Sequence, residues 1–359
     1  MILARYLTGQ FLPPFFFGLS IFSGVLLLDK LFDLLDLLIN KGVSLWTSAQ
    51  IFFLFFPTIL SLSVPMALLL ACLLTFGRLS EDNEILALRA SGLSFRQILW
   101  PPLAVAGLVS LALLPFNTHL TPTAMDQFRS LYHRIATTDP LIQIEPRRFL
   151  NVQNVRLFAG DVSKDRKNLS NVWIYRLFPG YSQRIYADRG TAEITNRQLS
   201  LRLEEGQIER FSRGIATDFS HVDFQHYTVN VPFQGALNAR DRGWREYTTP
   251  GLLKEIHRRR SRRIATSDIE AEMHLRYALA FAPLCLALVG IPLGMTLERG
   301  GRGVGFGAAM GVLFLYYLLL VMGLNVAEKG KWPAAPALWV GNVAALAVGA
   351  ELFRRRLAR

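Results

Sequence analysis

The densest chemistry in the chain lies in one short stretch, Gly77-Arg78-Leu79-Ser80-Glu81-Asp82-Asn83-Glu84-Ile85-Leu86-Ala87-Leu88-Arg89-Ala90-Ser91-Gly92. It reads as a short helix over 80–92. Ser80 can cap it, Glu81, Asp82 and Glu84 put acid in the first turn, Arg89 lies in the last turn, and Gly92 can take a left-handed closing position. About twelve residues at 1.5 Å rise span ~18 Å. Ile85 and Leu88 share a face, and Glu84 and Arg89 remain for a partner. Two readings fit: a docking helix offering apolar and charged contacts, or a solvated interfacial loop.

Lys30 is the second feature. Asp29, Asp33, Asp36 and Asn40 recur around it at helical spacing, with Leu31, Leu34, Leu35 and Leu38 elsewhere on the turn, which makes an amphipathic segment at a membrane edge. Lys30 either meets an anionic headgroup, or pairs with Asp33 and snorkels. The run His257 to Arg263, with Arg258, Arg259, Arg260, Arg262 and Arg263, suits phosphates and acidic lipid heads, or is a solvated basic helix.

Catalytic signals are poor. None of the six histidines sits in an H-E-x-x-H arrangement, and His221 and His226 face opposite ways along a strand-like run. No Gly-rich loop ends in Gly-Lys-Ser/Thr, and Gly300, Gly301, Gly303, Gly305, Gly307 and Gly311 suit a turn and close helix packing. No catalytic residue, metal site, cofactor or nucleotide hydrolysis is expected. Cys72 and Cys285 fall in apolar blocks and read as small buried hydrophobes.

The elements that position these residues follow from hydropathy. The 359 residues are 51% hydrophobic and 18% charged, with a mean hydropathy of +0.28. Six charge-poor blocks reach the ~20 residues a membrane helix needs. They lie between Arg5 and Asp29, Lys41 and Arg78, Gln97 and about Leu120, Arg276 and Glu298, Arg302 and Glu328, and Lys331 and Glu351. The first runs on without a cleavage site and reads as a retained span. Prolines inside the spans, such as Pro57, Pro65, Pro115, Pro283 and Pro292, are packing kinks or hinges.

Much of the +12 net charge flanks these blocks, which points to membrane orientation rather than a nucleic-acid partner. Arg5, Arg78, Arg89, Arg96, Arg299, Arg302 and the tail Arg354, Arg355, Arg356 and Arg359 fall on one side, the cytoplasmic side by the positive-inside rule. The region between the third and fourth spans then faces outward. The Arg258–Arg263 run, also on that outer side, conflicts with the rule.

That region reads as β. Val155-Arg156-Leu157-Phe158, Val172-Trp173-Ile174-Tyr175, Leu199-Ser200-Leu201-Arg202-Leu203 and Tyr227-Thr228-Val229-Asn230-Val231 alternate with period two. Asn196-Arg197-Gln198 and Glu204-Glu205-Gly206 look like turns. The expected fold class is an α-helical integral membrane protein with six transmembrane helices and an inserted periplasmic β-jellyroll-like domain. Its expected divisions are 1–123 for the first three spans, 124–263 for the β-domain and 264–359 for the last three spans.

This order, with Arg5-Tyr6-Leu7, Gly77-Arg78-Leu79 through Arg89-Ala90-Ser91-Gly92, and Ala327-Glu328-Lys329-Gly330, resembles the lipopolysaccharide-export permease family of LptF/LptG type over essentially the whole chain. The start, Lys30 and the fifth–sixth loop resemble its LptF branch more than LptG. The resemblance implies an inner-membrane permease subunit with no ATPase activity of its own. It implies pairing with a paralogous LptG-type subunit, a dimeric cytoplasmic LptB-type ATPase and a periplasmic jellyroll partner of LptC/LptA type. Lipopolysaccharide would be lifted from among membrane lipids into the β-domain, whose inner face would include Leu157, Ile174 and Ile194. The same resemblance puts Glu81, Glu84, Ile85, Leu88 and Arg89 on the ATPase-coupling element, and Lys30 on a cavity rim facing lipid phosphates. Asp33 departs from the family, where a basic residue is common nearby. Two other functions compete: a non-transporting scaffold or sensor with a protein-binding outer domain, and a membrane-anchored hydrolase, which lacks its motif.

Overall fold

The computed structural model describes residues 2–35, 44–138, 144, 146–152, 154–163, 167–178, 181–195, 198–212, 219–232, 243–296 and 301–357. Asp36, Asn40, Lys41, Arg197, Arg299 and Arg359 lie outside them, as do the side chains of Asp33 and Ile194. In chain order come α1 (Ile2–Leu35), α2 (Leu45–Glu81), α3 (Glu84–Ala90) and α4 (Phe95–Pro115). A π-helical turn (Phe116–Leu120) leads into α5 (Thr121–Thr138). Strands β1 (Phe149–Val152), β2 (Val155–Val162), β3 (Asn168–Phe178), β4 (Tyr181–Thr195), β5 (Gln198–Ser212) and β6 (Phe219–Pro232) follow. A 3-10 turn (Trp244–Glu246), α6 (Thr249–Ser261), α7 (Ser267–Thr296), α8 (Gly301–Glu328) and α9 (Ala334–Leu357) complete it.

Six helical stretches are long and apolar enough to cross a bilayer: Ile2–Phe32, Leu45–Glu81, Phe95–Tyr132, Ser267–Thr296, Gly303–Glu328 and Ala334–Arg355. Lipid supplies no hydrophobic drive between helices, so close backbone approach and buried polar contacts must hold them. At Gly290 a Cβ would come within 2.9 Å of Leu69 and Cys72, and at Gly323 within 2.2 Å of the Ala337 carbonyl. Of the glycines expected to pack closely, Gly305 lies against Leu74, 3.7 Å from where its Cβ would be, whereas Gly303, Gly307 and Gly311 face open space in this chain. Asn342, 1% exposed, accepts from the Tyr316 hydroxyl at 2.9 Å and donates to the Ala278 carbonyl at 2.9 Å, tying α7, α8 and α9 together.

The chain forms two compact units, Met1–Asp33 with Phe52–Gln127 and Gly243–Arg359, and Leu34–Ile51 with Phe128–Arg242. The stretch 243–263, which the hydropathy pattern assigns to the β-domain, clusters with the spans. The reason is α6, which buries Leu252 and Ile256 against Ile269 of α7. Three arginines of the basic run on α6 have acid partners. Arg258 pairs with Glu255 at 2.7 Å, Arg259 with Asp268 at 3.3 Å and Arg260 with Glu270 at 2.8 Å, so acids of α6 and α7 offset much of the charge.

The β unit is a six-stranded antiparallel meander in the order β1-β2-β3-β4-β5-β6. Its inner face buries Leu157, Ile174, Ile185, Leu201 and Val229. Leu157 and Ile174 are thus where the alternation puts them. Glu204-Glu205-Gly206 is no turn; it lies inside β5. The turn chemistry there is nonetheless real. Among the described residues the pairing skips one position on each strand from β2 to β6, at Gly160, Asn171, Asp188, Glu205 and Gln225, and these positions are opposite one another. Asn171 and Glu205 have φ of 50° and 52° there. The buried set changes phase across that line, from Leu169 to Val172 on β3, where Asn171 is left-handed, and from Ala187 to Ala192 on β4, where Asp188 is skipped without a positive φ. The sheet is creased across its strands. Gly206 fits beside the crease because a Cβ would come within 2.1 Å of the Tyr186 carbonyl oxygen. Gly206→Ala should therefore cost ~1–3 kcal/mol, read as a lower melting temperature of the β unit.

Candidate functional site

The short helix begins later than its capping residues suggest. Leu79 is fully buried and the Ser80 hydroxyl donates to the Met295 carbonyl at 3.4 Å, so α2 continues through Ser80 to Glu81. Asn83, with φ 58°, makes the break, a conformation Asn tolerates better than most residues. α3 is then seven residues, ~10 Å rather than ~18 Å. Its C-terminus closes as expected. Gly92 has φ 90°, its amide donates to the Arg89 carbonyl at 3.0 Å, and the Leu93 amide donates to the Leu88 carbonyl at 3.2 Å, which is a Schellman motif.

The two faces of α3 are distinct. Ile85 is 8% exposed and joins a cluster with Leu7 of α1, Phe76 and Leu79 of α2, and Ile98 of α4, with Leu88 packed beside it. These two apolar residues rivet the helix to its own membrane unit. The outward set is Glu81, Asp82, Leu86 and Arg89, with Leu86 65% exposed. Glu84 is half-buried, and the Tyr6 hydroxyl donates to its Oε2 at 2.6 Å. Beside it, Arg78 donates to Gln10 Oε1 at 2.7 Å and lies 3.7 Å from Asp82. The first turn of α1 thereby fixes the carboxylate. Sequence reasoning missed Leu86 and Tyr6. Leu86 follows from helical phase once Ile85 is inward; Tyr6 lies 78 residues from its partner and has no local signal.

Lys30 lies apart from this cluster in the chain, at the far end of α1. Its Nζ is 2.9 Å from Asp29 Oδ2 and 5.3 Å from the centroid of the Phe55 ring, so its charge already has an adjacent acid and a cation–π face.

The sequence profile of the lipopolysaccharide export system permease family LptF/LptG matches residues 5–355. The chain belongs to the LptF/LptG family. The lipopolysaccharide export system permease protein LptF of Escherichia coli K12 is 22% identical over 348 residues, which covers 96% of this chain and 91% of that protein. The LptF proteins of Escherichia coli O157:H7 and Shigella flexneri match equally, at 22% identity with the same coverage. An LptF/LptG chain with six apolar spans is a multi-pass inner-membrane protein and a transporter permease subunit, and the family is not one of enzymes.

A second polar cluster in this LptF/LptG chain went unrecognised in the sequence, where Arg276 reads only as the charge flanking the fourth span. Arg276 is 5% exposed. Its Nε pairs with Glu272 Oε1 at 3.0 Å, Nη1 donates to the Tyr247 carbonyl at 2.7 Å, and Nη2 donates to the carbonyls of Trp244 at 3.1 Å and Arg245 at 3.3 Å. The Trp244 indole donates to Asp268 at 2.7 Å, under the Arg259 guanidinium 4.6 Å from its ring. From the π-helical turn, Asn117 donates to the Arg276 carbonyl at 3.3 Å. Arg276 thus clamps the strap of chain entering from the β unit onto the head of α7. Its local signal is the Glu272-to-Arg276 spacing, which allows an intrahelical pair.

Proposed function

We propose that the chain is the permease subunit of an ATP-driven exporter that extracts lipopolysaccharide from the inner membrane, with α3 docked on a separate cytoplasmic ATPase. The observation that carries this reading is the build of α3: riveted inward by Ile85 and Leu88, its carboxylate pinned by Tyr6, and its outer face offering Glu81, Leu86 and Arg89. A solvated loop needs none of this. A helix that must pass force between two proteins needs all of it, because a loosely held element would yield before its neighbours moved.

The energetics favour a separate engine. Each CH₂ leaving the bilayer costs ~0.8 kcal/mol, so a multi-acyl lipid does not leave unaided. α1 and α8 are the least buried of the spans within this chain, which suits pairing with a second, LptG-type permease. The edge strands β1 and β6 offer backbone to a partner strand, which suits an LptC/LptA-type jellyroll. The β unit on this reading is periplasmic, and its apolar inner face would continue the lipid's path.

The reading is tested by co-purification. Full-length chain expressed with a paralogous permease and the ATPase should yield one complex whose ATP turnover rises with added lipopolysaccharide. A chain that recovers only periplasmic proteins, with no ATPase, is the scaffold of the competing reading. Orientation is checked with Glu193→Cys on exposed β4, which should label with an impermeant maleimide once the outer membrane is opened; labelling only after full lysis reverses the topology.

On this reading Lys30 faces lipid phosphates with its charge partly offset by Asp29, 2.9 Å away. Lys30→Glu is expected to lower photocrosslinking to lipid A phosphates by about threefold, the scale of one exposed charge contact. An unchanged yield returns Lys30 to a structural role.

A further inference from the structure

A cavity of about 150 Å³ lies between α2, the π-helical turn, α5 and the head of α7. Its depth follows from helix length. Thr58 on its wall stands about twenty residues from Arg78 along α2, and Arg276 stands about twenty residues from Thr296 along α7; each distance is ~30 Å, one hydrocarbon thickness. The cavity therefore sits where acyl chains give way to headgroups, in the leaflet opposite α3.

Its wall carries unmet hydrogen-bonding demand. Thr58 Oγ1, Thr121 Oγ1 and Asn117 Oδ1 are buried with no protein partner, and Asn117 is 3% exposed. Buried polar atoms of this kind are ordinarily satisfied. The wall also carries both signs of charge. Glu272 Oε1 is taken by Arg276, but Oε2 lies 3.9 Å from Arg245 Nε, beyond hydrogen-bond range, and the Arg245 side chain is 66% exposed. Apart from Ser61, the rest of the lining is apolar, with Leu62, Leu275 and Leu279.

We propose that this cavity binds the headgroup of a resident bilayer phospholipid carrying a primary amine, a phosphoethanolamine head. The phosphate meets Arg245. The ammonium donates to Glu272 Oε2 and Asn117 Oδ1. The two threonine hydroxyls serve the phosphate and glycerol oxygens, and the acyl chains leave along the leucines. A choline head offers no N–H to these acceptors, and a purely anionic head leaves Glu272 facing like charge. The inference depends on the membrane placement of the spans and not on ATPase docking.

The test uses the full-length chain in nanodiscs of phosphatidylcholine, with phosphatidylethanolamine or phosphatidylglycerol added at equal share, followed by gentle extraction and native mass spectrometry of retained lipid. The wild type should retain phosphatidylethanolamine about fivefold above its bulk share and the other two near theirs. Glu272→Gln keeps the acceptor for Arg276 and removes the charge, and should erase that preference. Arg245→Gln alters an exposed side chain and should reduce retention. Thr121→Leu fills the cavity and should abolish it. Equal retention of all three lipids by the wild type overturns the proposal, as does unchanged enrichment in both Arg245→Gln and Thr121→Leu. Added lipopolysaccharide that displaces the phospholipid one for one also overturns it, since the cavity is then a subsite for cargo.

Discussion

Glu84→Arg is expected to release the ATPase from the permease. The carboxylate is half-buried and held by the Tyr6 hydroxyl at 2.6 Å, so it meets a partner already oriented. Replacing it with a guanidinium removes the acceptor of that bond and sets a cation against whatever basic group the carboxylate faces. Truncating or reversing one member of an interfacial charge pair costs ~2–5 kcal/mol, or at least about a thirtyfold loss of affinity. Pull-down of the ATPase and lipopolysaccharide-stimulated turnover should both fall to background, while the six spans still assemble. Tyr6→Phe separates contact from orientation. It leaves the charge and loses one hydrogen bond, about 1 kcal/mol, so affinity should fall only about fivefold. Wild-type recovery of the ATPase with Glu84→Arg ends the coupling reading of α3.

Arg276→Met should be the most damaging single change to the membrane unit. The side chain is 5% exposed and serves one carboxylate and three carbonyls. Methionine fills similar space but leaves Glu272 as a buried acid whose nearest cation is the exposed Arg245, 3.9 Å from its Oε2. Breaking a buried pair in this way costs ~3–5 kcal/mol, against a typical total of ~5–15 kcal/mol. The expected result is a large drop in melting temperature and in detergent-stable yield. The double variant Arg276→Met with Glu272→Leu should recover much of it, because removing both charges is often neutral. A double variant as unstable as the single would show that the carbonyl contacts, and not the charge, dominate.

The spans were legible because lipid demands apolar residues on nearly every side of a helix, and a charge-free block of that length has few other meanings. The strands were legible only in halves. The runs at 155–158, 172–175, 199–203 and 227–231 each lie on one side of the crease, where alternation holds. β4 was overlooked because its phase changes near Asp188 and Arg189, so no long alternating run exists to be read. At the candidate site, the closing turn at Gly92 was legible from local chemistry, whereas the start of α3 was not. Ser80 and Asn83 are both good helix-boundary residues, and the choice between them is made by Leu79 and Met295, through packing and a hydrogen bond no local pattern records. The Arg276 clamp was missed for the same reason, since its partners at 244–247 are some thirty residues away.

The crease has a mechanical consequence. A strand ordinarily resists bending because its neighbours' hydrogen bonds must stretch with it. Here the unpaired position recurs on five successive strands along one line, so bending there stretches no rung of the ladder. A change of angle along that line is therefore expected to leave every register locked on both sides of it, as a book opens without losing its pages.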